Sequence, residues 1–257
     1  MKKLLVFSLI NLLALATFAQ LQEVKPDAYR WAGRNLKISP DRESGVFLEG
    51  ISPHLDYVKI HATTQFPGTK PSPEHANKDM EELIIVKEGT MKATVDGQSR
   101  ILGAGSVVLI MPQQRQSLEN IGTGNLSYFA MKYKSKKPVN IKRGIASGGS
   151  MMLNADSLTF KKTEKGGGRA YFDRATAMCE RLEMHVTQLN KKGPSHNPHS
   201  HIETEIILVI SGQTEMTIDG TEHTAGPGDF YFINSGLFHG VRNASDEPCS
   251  YFAFKWN

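Results

Sequence analysis

The segment "GPSHNPHSHIETEIILVISG", residues 193–212, sets His196, His199 and His201 with Glu203 and Glu205 just ahead of an apolar run. Imidazoles and carboxylates this close together are the donor types that hold a divalent transition metal. His199 and His201 are two residues apart. On an extended chain they share one face, whereas on a helix they point about 200° apart. The isoleucines and valine that follow, with glycines at both ends, favour the strand. Glu205 has the same parity and joins that face if the strand is continuous. A fourth donor stands downstream in "GDFYFINSGLFHGVRN", where His239 follows a Ser-Gly turn. Three imidazoles and one carboxylate suit a first-row divalent ion, and an octahedral ion keeps two positions for water or substrate. His196 and Glu203 flank the set as loop residues. Phe238, beside His239, is a candidate for shaping a pocket, while Phe230 and Phe232 read as core.

The elements that must position these residues occur twice. "ELIIVKEGTMKATVDG" from Glu82 lies over "EIILVISGQTEMTIDG" from Glu205, a shift of 205 − 82 = 123 residues. The same shift carries Gly103 and Gly105 onto Gly226 and Gly228, Asn120 onto Asn243, and "SYFA" at 127 onto "SYFA" at 250. Glycines, turns and strands kept in one register indicate an internal duplication. Each copy reads as short strands parted by turn signals, with Asp96-Gly97 and Asp219-Gly220 as hairpin dipeptides. "IILVI" is apolar at both parities, as expected of a strand covered on two sides in a closed barrel or tight sandwich. Upstream, "VKIHAT" at 58 matches "LEMHVT" at 182; one face alternates apolar and the other carries His61 and His185. Whether that polar face meets a cavity or solvent stays open, and His185 is kept as a candidate for lining a pocket.

Composition and the N-terminus bound the rest. "MKKLLVFSLINLLALATFAQ" has the basic start, apolar stretch and small residues of an export signal, with cleavage expected after Ala19. It is too short for a comfortable membrane span, and no later segment is apolar enough. Removing two lysines takes the formal charge from +4 to 4 − 2 = +2. Near-neutrality and the lack of a helix-turn-helix pattern argue against nucleic acid as a partner. A bacterial periplasm is the expected location. Residues 20–134 and 169–257 are the expected domains, joined by a basic, glycine-rich linker over 135–168 around one possible edge strand, "SLTF" at 157. An oxidising compartment permits a bridge between Cys179 and Cys249, two buried thiols being the alternative. Arg169 and Arg174, just before the second copy's site, are candidates to neutralise an acidic substrate at its mouth or to form surface ion pairs.

At this point the sequence resembles the cupin superfamily. Gly193, His199, His201, Glu205 and Gly212 reproduce the spacing of its first motif. Gly228, Gly236, His239 and Asn243 reproduce the second, with Asn234 where proline is usual. With the duplication, the chain resembles a bicupin, all-β, with two double-stranded β-helix (jelly-roll) barrels in one chain. The layout is similar to that of ureidoglycine aminohydrolases, whose ligand set by contrast includes a glutamine. The resemblance implies one divalent metal, manganese or iron first and zinc or nickel as further options, held by His199, His201, Glu205 and His239. In the first copy the equivalents are His75, Asn77, Glu82 and Gln116. Neutral amides compete poorly with imidazole for a transition metal, so the first barrel reads as metal-free or weakly binding. The function implied is Lewis-acid chemistry on a small oxygen-rich substrate such as a sugar acid, of lyase or isomerase type. A cupin dioxygenase and a non-catalytic metal- or ligand-binding bicupin are the alternatives. Oligomeric state and general base are not legible.

Overall fold

The computed structural model describes residues 21–257; the expected export signal lies outside the described residues. Strand alternation accounts for the three cores. In Glu81–Glu88, Leu83 and Ile85 enter one core while Ile84 and Val86 enter another. In Thr204–Ser211, Ile206 and Leu208 join Leu83 and Ile85, while Ile207 and Val209 face a third. The shared core is thus the layer between the barrels, and the other two fill the barrels themselves. A strand buried on both faces is what the unbroken apolar runs require.

Each barrel is a seven-stranded antiparallel sheet closed by a small one. The first barrel's sheet runs Met151–Leu153, Val107–Ile110, Glu81–Glu88, Leu126–Ser135, Leu55–Gln65, Arg42–Gly50, Asn35–Ile38. The second runs Asp27–Tyr29, Phe230–Ile233, Thr204–Ser211, Cys249–Trp256, Leu182–Leu189, Gly166–Arg174, Lys161–Thr163. Among the smaller sheets, the one that matters for the site pairs His239–Asn243 with Thr214–Ile218 and with the edge segment Gly193–Pro194. Both expected hairpins form, and Asp96-Gly97 and Asp219-Gly220 have positive φ at both turn residues, 44° and 78°, 47° and 80°. Paired positive φ is the signature of the turn whose twist matches that of antiparallel strands.

Two edge strands are exchanged between the barrels. Asp27–Tyr29 precedes the first barrel in sequence yet pairs with Phe230–Ile233 of the second. Met151–Leu153 pairs with Val107–Ile110 of the first. These strands are equivalent under the repeat, so the exchange is reciprocal.

The segment expected to be a linker carries real elements. Helix Ile141–Ala146 is capped by Asn140, whose side chain accepts from the Arg143 amide at 2.9 Å. The edge strand expected at "SLTF" instead lies just beyond it at Lys161–Thr163, while Ser157 closes a 3-10 turn, Ala155–Ser157, held by Asn154. Cys179 and Cys249 are free and buried in different cores, Cys179 between the barrels and Cys249 inside the second, so the possible bridge is not formed. Among the described residues, no helix is long and apolar enough to cross a membrane.

Candidate metal centre

Glu205 is the second residue of the strand Thr204–Ser211 and stands opposite Ile233 and Lys255 in the adjacent strands. It is buried, on the face that continues into Ile207 and Val209 inside the second barrel. His239 begins its strand in the small sheet across the barrel. His199 is clipped to it by two backbone hydrogen bonds, His199 N to His239 O at 2.9 Å and His239 N to His199 O at 2.8 Å. Gly240 favours the close approach: a Cβ there would lie 3.0 Å from Pro198 Cγ. Gly236 N donates to His201 O at 2.8 Å, fixing the third histidine from the Ser-Gly turn.

The ligand nitrogens of His199, His201 and His239 all lie within 4.8 Å of one another. Two ligands, each 2.0–2.1 Å from one ion, span at most about 4 Å, so little movement would bring these three onto one centre. His201 Nδ1 faces Glu203 O at 3.1 Å, and His239 Nδ1 faces Leu237 O at 2.9 Å. A carbonyl accepts only, so these contacts place a ring hydrogen on Nδ1; Nε2 then faces the interior, carrying a hydrogen to Glu205 when the ring is protonated and a lone pair for an ion when it is neutral. Both Nε2 atoms converge on the same Glu205 oxygen, at 3.3 and 3.0 Å. Burial pushes the Glu205 carboxyl up, yet hydrogen bonds from His201 and His239, with their charges, outweigh it and hold the group at about 2. His201 is raised because Glu205 accepts from it, and His199 is lowered by burial and by the neighbouring imidazoles. A carboxylate beside three imidazoles, two of them oriented through Nδ1, fits a divalent ion.

The first barrel offers the contrast. Glu82 is also buried, and one oxygen accepts from Asn77 Nδ2 at 2.9 Å and from Gln116 Nε2 at 2.6 Å, with Lys132 Nζ 3.7 Å away. Amide donors and a nearby ammonium thus meet one oxygen of the carboxylate without a metal ion. His75 is exposed and turned toward Pro73 O at 3.2 Å, although its backbone is clipped to Gln116 just as His199 is to His239.

Other candidates lie elsewhere. His185 is half-buried and bonded through Nδ1 to Glu183 at 2.6 Å, on the face it shares with Ala253 toward the barrel interior; no described contact joins it to the three imidazoles. Arg174 is not at the mouth of the site. Its guanidinium donates to Ser147 O at 2.6 Å and to Gly149 O, bracing the end of the connecting helix. Phe238 is 54% exposed beside His239, and Ile202, beside His201, is 67% exposed. His54, from the first half, was not legible as a site residue. Its Nε2 lies 2.7 Å from Ile202 O and supports the ligand loop from the other barrel. Arg181 and Lys255 were also missed. Arg181 pairs with Asp173 at 2.8 Å and Glu203 at 3.1 Å, and Lys255 lies 3.6 Å from Glu183. Only the shared strand register marks Lys255, because the same shift makes it the counterpart of Lys132.

The comparisons bear directly on this geometry. The model of the cupin domain matches residues 63–132 and 185–255, over half the chain in two copies. The chain belongs to the cupin family. As a bicupin, it superposes on oxalate decarboxylase from Lactobacillus farciminis, solved as a formate complex, at 12% identity and TM-score 0.69, covering 93% of this chain and 88% of that one. It is similar to Ylba from E. coli at 16% identity and TM-score 0.68, covering 92% and 93%. It is also similar to AerE from Microcystis aeruginosa at 13% identity and TM-score 0.67, covering 90% and 98%. At such identities the likeness concerns the fold. No curated protein matches the sequence.

Proposed function

We propose that this bicupin is an exported, metal-dependent enzyme that acts on a small oxygen-rich substrate such as a sugar acid, by lyase or isomerase chemistry. The observation that carries the reading is the convergence, among the described residues, of three imidazoles and Glu205 in the second barrel. His199, His201, Glu205 and His239 would hold the metal, with manganese or iron preferred by a mixed nitrogen and oxygen set. A bound divalent ion supplies Lewis acidity to an oxygen of the substrate and stabilises negative charge that develops there. The chain's part is to fix orientation: carbonyls of Glu203 and Leu237 hold two rings, and the clip between His199 and His239 holds the third. The approach of two imidazoles to one oxygen of Glu205 supports a ligand role for it over that of a general base. The likeness to an oxalate decarboxylase supports chemistry on small oxyacids, at the level of fold.

The deciding experiment combines elemental analysis of the purified protein with turnover assays on sugar acids and small dicarboxylates, followed by an oxygen electrode. The expected result is about one metal per chain and turnover without oxygen uptake. Stoichiometric oxygen consumption would replace the proposal with a dioxygenase. Metal that raises Tm without any turnover would replace it with a binding protein. Export rests on the residues up to Ala19 and is tested by the mass of the mature protein in the periplasmic fraction, with Gln20 expected as its first residue.

A further inference from the structure

The internal repeat allows the two sides of the layer between the barrels to be compared residue by residue, and they differ. On one side, Trp31 opens the 3-10 turn Trp31–Gly33 and fills the space. Its ring meets Phe129 at 5.4 Å and Phe47 at 6.1 Å, lies under Lys87, and rests against Gly228. Arg34 covers the indole at 3.7 Å, donates to Trp31 O at 2.8 Å and pairs with Glu43 at 3.3 Å. The indole and the guanidinium together close this side.

On the other side, the repeat places Ala155 at the position of Trp31, again first in a 3-10 turn, Ala155–Ser157. The counterparts of the residues around Trp31 are Phe252 for Phe129, Tyr171 for Phe47, Ile210 for Lys87 and Gly105 for Gly228. All four line a cavity of about 340 Å3, with Ala155 in its wall. That volume falls at the lower end of ordinary ligand pockets. The indole has gone; the Tyr171 hydroxyl reaches part of the way, donating to Gly105 O at 2.7 Å, and the cavity remains beside it.

The charge has changed as well. Arg169 stands where the repeat has Gly45, lines the cavity and faces the ring of Phe160 at 5.2 Å. Its Nε is buried with no hydrogen-bond partner, and no carboxylate among the described residues lies within ion-pair distance. Of the two acidic residues on the wall, Glu88 accepts from Ser127 at 2.6 Å and Asp156 is exposed. Only Nε is shut off from water, as it is in Arg34 on the twin side; the Nη groups of Arg169 have no hydrogen-bond partner among the described residues and can receive an anion brought into the cavity.

We propose that this cavity binds a small aromatic carboxylate. Its ring would occupy the space that Trp31 fills on the twin side, and its carboxylate would pair with Arg169. The carboxylate accepts two hydrogen bonds in the fork geometry of guanidinium recognition, and the ring finds the wall of Phe252, Tyr171 and Phe160. The site is separate from the three-imidazole cluster and does not rest on the proposed reaction.

The test uses the full chain with indole-3-propionate and neutral indole as probes, followed by calorimetry, on the wild type, Ala155→Trp and Arg169→Leu. The wild type is expected to bind indole-3-propionate saturably, at one equivalent. Ala155→Trp should keep or raise Tm, since it rebuilds the packing of the twin side, and should abolish binding of both probes. Arg169→Leu should weaken indole-3-propionate by roughly 10- to 100-fold, the scale of a hydrogen bond to a charged group, while leaving indole unchanged. Metal content should stay the same in both variants. No saturable binding by the wild type, binding that survives in Ala155→Trp, or an Arg169→Leu effect equal for acid and neutral probe would each overturn the proposal. If Ala155→Trp does not fold, the contrast between the probes in Arg169→Leu decides alone.

Discussion

Glu205 and Glu82 occupy the same position of the repeat and meet opposite partners, and that difference favours a metal ion at the second site over the first. Glu205 faces imidazole nitrogens, which can turn lone pairs inward; Glu82 faces amide and ammonium donors, which cannot. His201→Ala or His239→Ala is therefore expected to reduce metal affinity by more than the 10- to 100-fold typical of changes behind the ligands. Elemental analysis and circular dichroism should show loss of metal with the β-sheet signal kept. Chelation should lower the wild-type Tm and leave the His201→Ala protein unmoved, because only a bound ion adds binding free energy to the folded state. The four candidate positions were legible because their types and spacing report on one strand face and one turn. His54 was not, because its contribution is a single hydrogen bond to Ile202 O from the other barrel. The thiols make a second test at this scale. Burial pushes Cys179 far up and Cys249 up as well, so neither forms appreciable thiolate at pH 8. Native protein should resist alkylation at that pH, and both thiols should react once denaturant is added. Mass spectrometry counts them, and rapid native labelling would contradict the burial.

At the scale of elements, the repeat made most of the fold readable. Strands with buried faces carry a long apolar signature, and the Asp-Gly hairpins announce their turn. The exchanged strands Asp27–Tyr29 and Met151–Leu153 were hidden because three residues are too few to show a period, and which sheet they join is set by packing. The connector misled for a related reason. Its basic, glycine-rich composition reads as linker, yet Gly166, Gly167 and Gly168 form strand: added Cβ atoms would meet Gln188 O at 2.2 Å, Lys161 O at 2.6 Å and Val186 O at 2.4 Å. Two turn glycines separate the cost of conformation from that of contact. Gly220 has φ of 80° with open space around a Cβ, and Gly212 has φ of 75° with Pro248 O 2.5 Å from one. Gly220→Ala should cost about 1–2 kcal/mol, the left-handed penalty alone. Gly212→Ala should cost clearly more, since the turn into the strand must move. Urea midpoints measure the difference, and equal costs would mean that the contact relaxes freely.

For the whole molecule, the question is whether two barrels in one chain are two folding units. The layer between them argues for one. Phe230 belongs to the second half, yet its ring partners come from the first: Tyr29 stacked at 5.2 Å and Phe47 edge-on at 5.2 Å. Leu83, Ile85 and Met131 from one barrel share a core with Ile206, Phe232 and Phe254 from the other. Glu81, in the first sheet, accepts from Thr176 Oγ1 at 2.6 Å and Ala177 N at 2.8 Å, just before the second barrel's inner strands. Each barrel also carries an edge strand contributed from outside its own half. Opening either barrel alone would expose that common apolar layer and strip the partner of an edge, so the intermediate carries the desolvation cost of both. Calorimetry should therefore record a single transition whose van't Hoff and calorimetric enthalpies agree. Phe230→Ala should lower its stability by about 3–5 kcal/mol, or Tm by roughly 6–20 °C at the 2–4 °C per kcal/mol usual for this size. If the barrels were independent, two transitions would appear and the substitution would move only one of them.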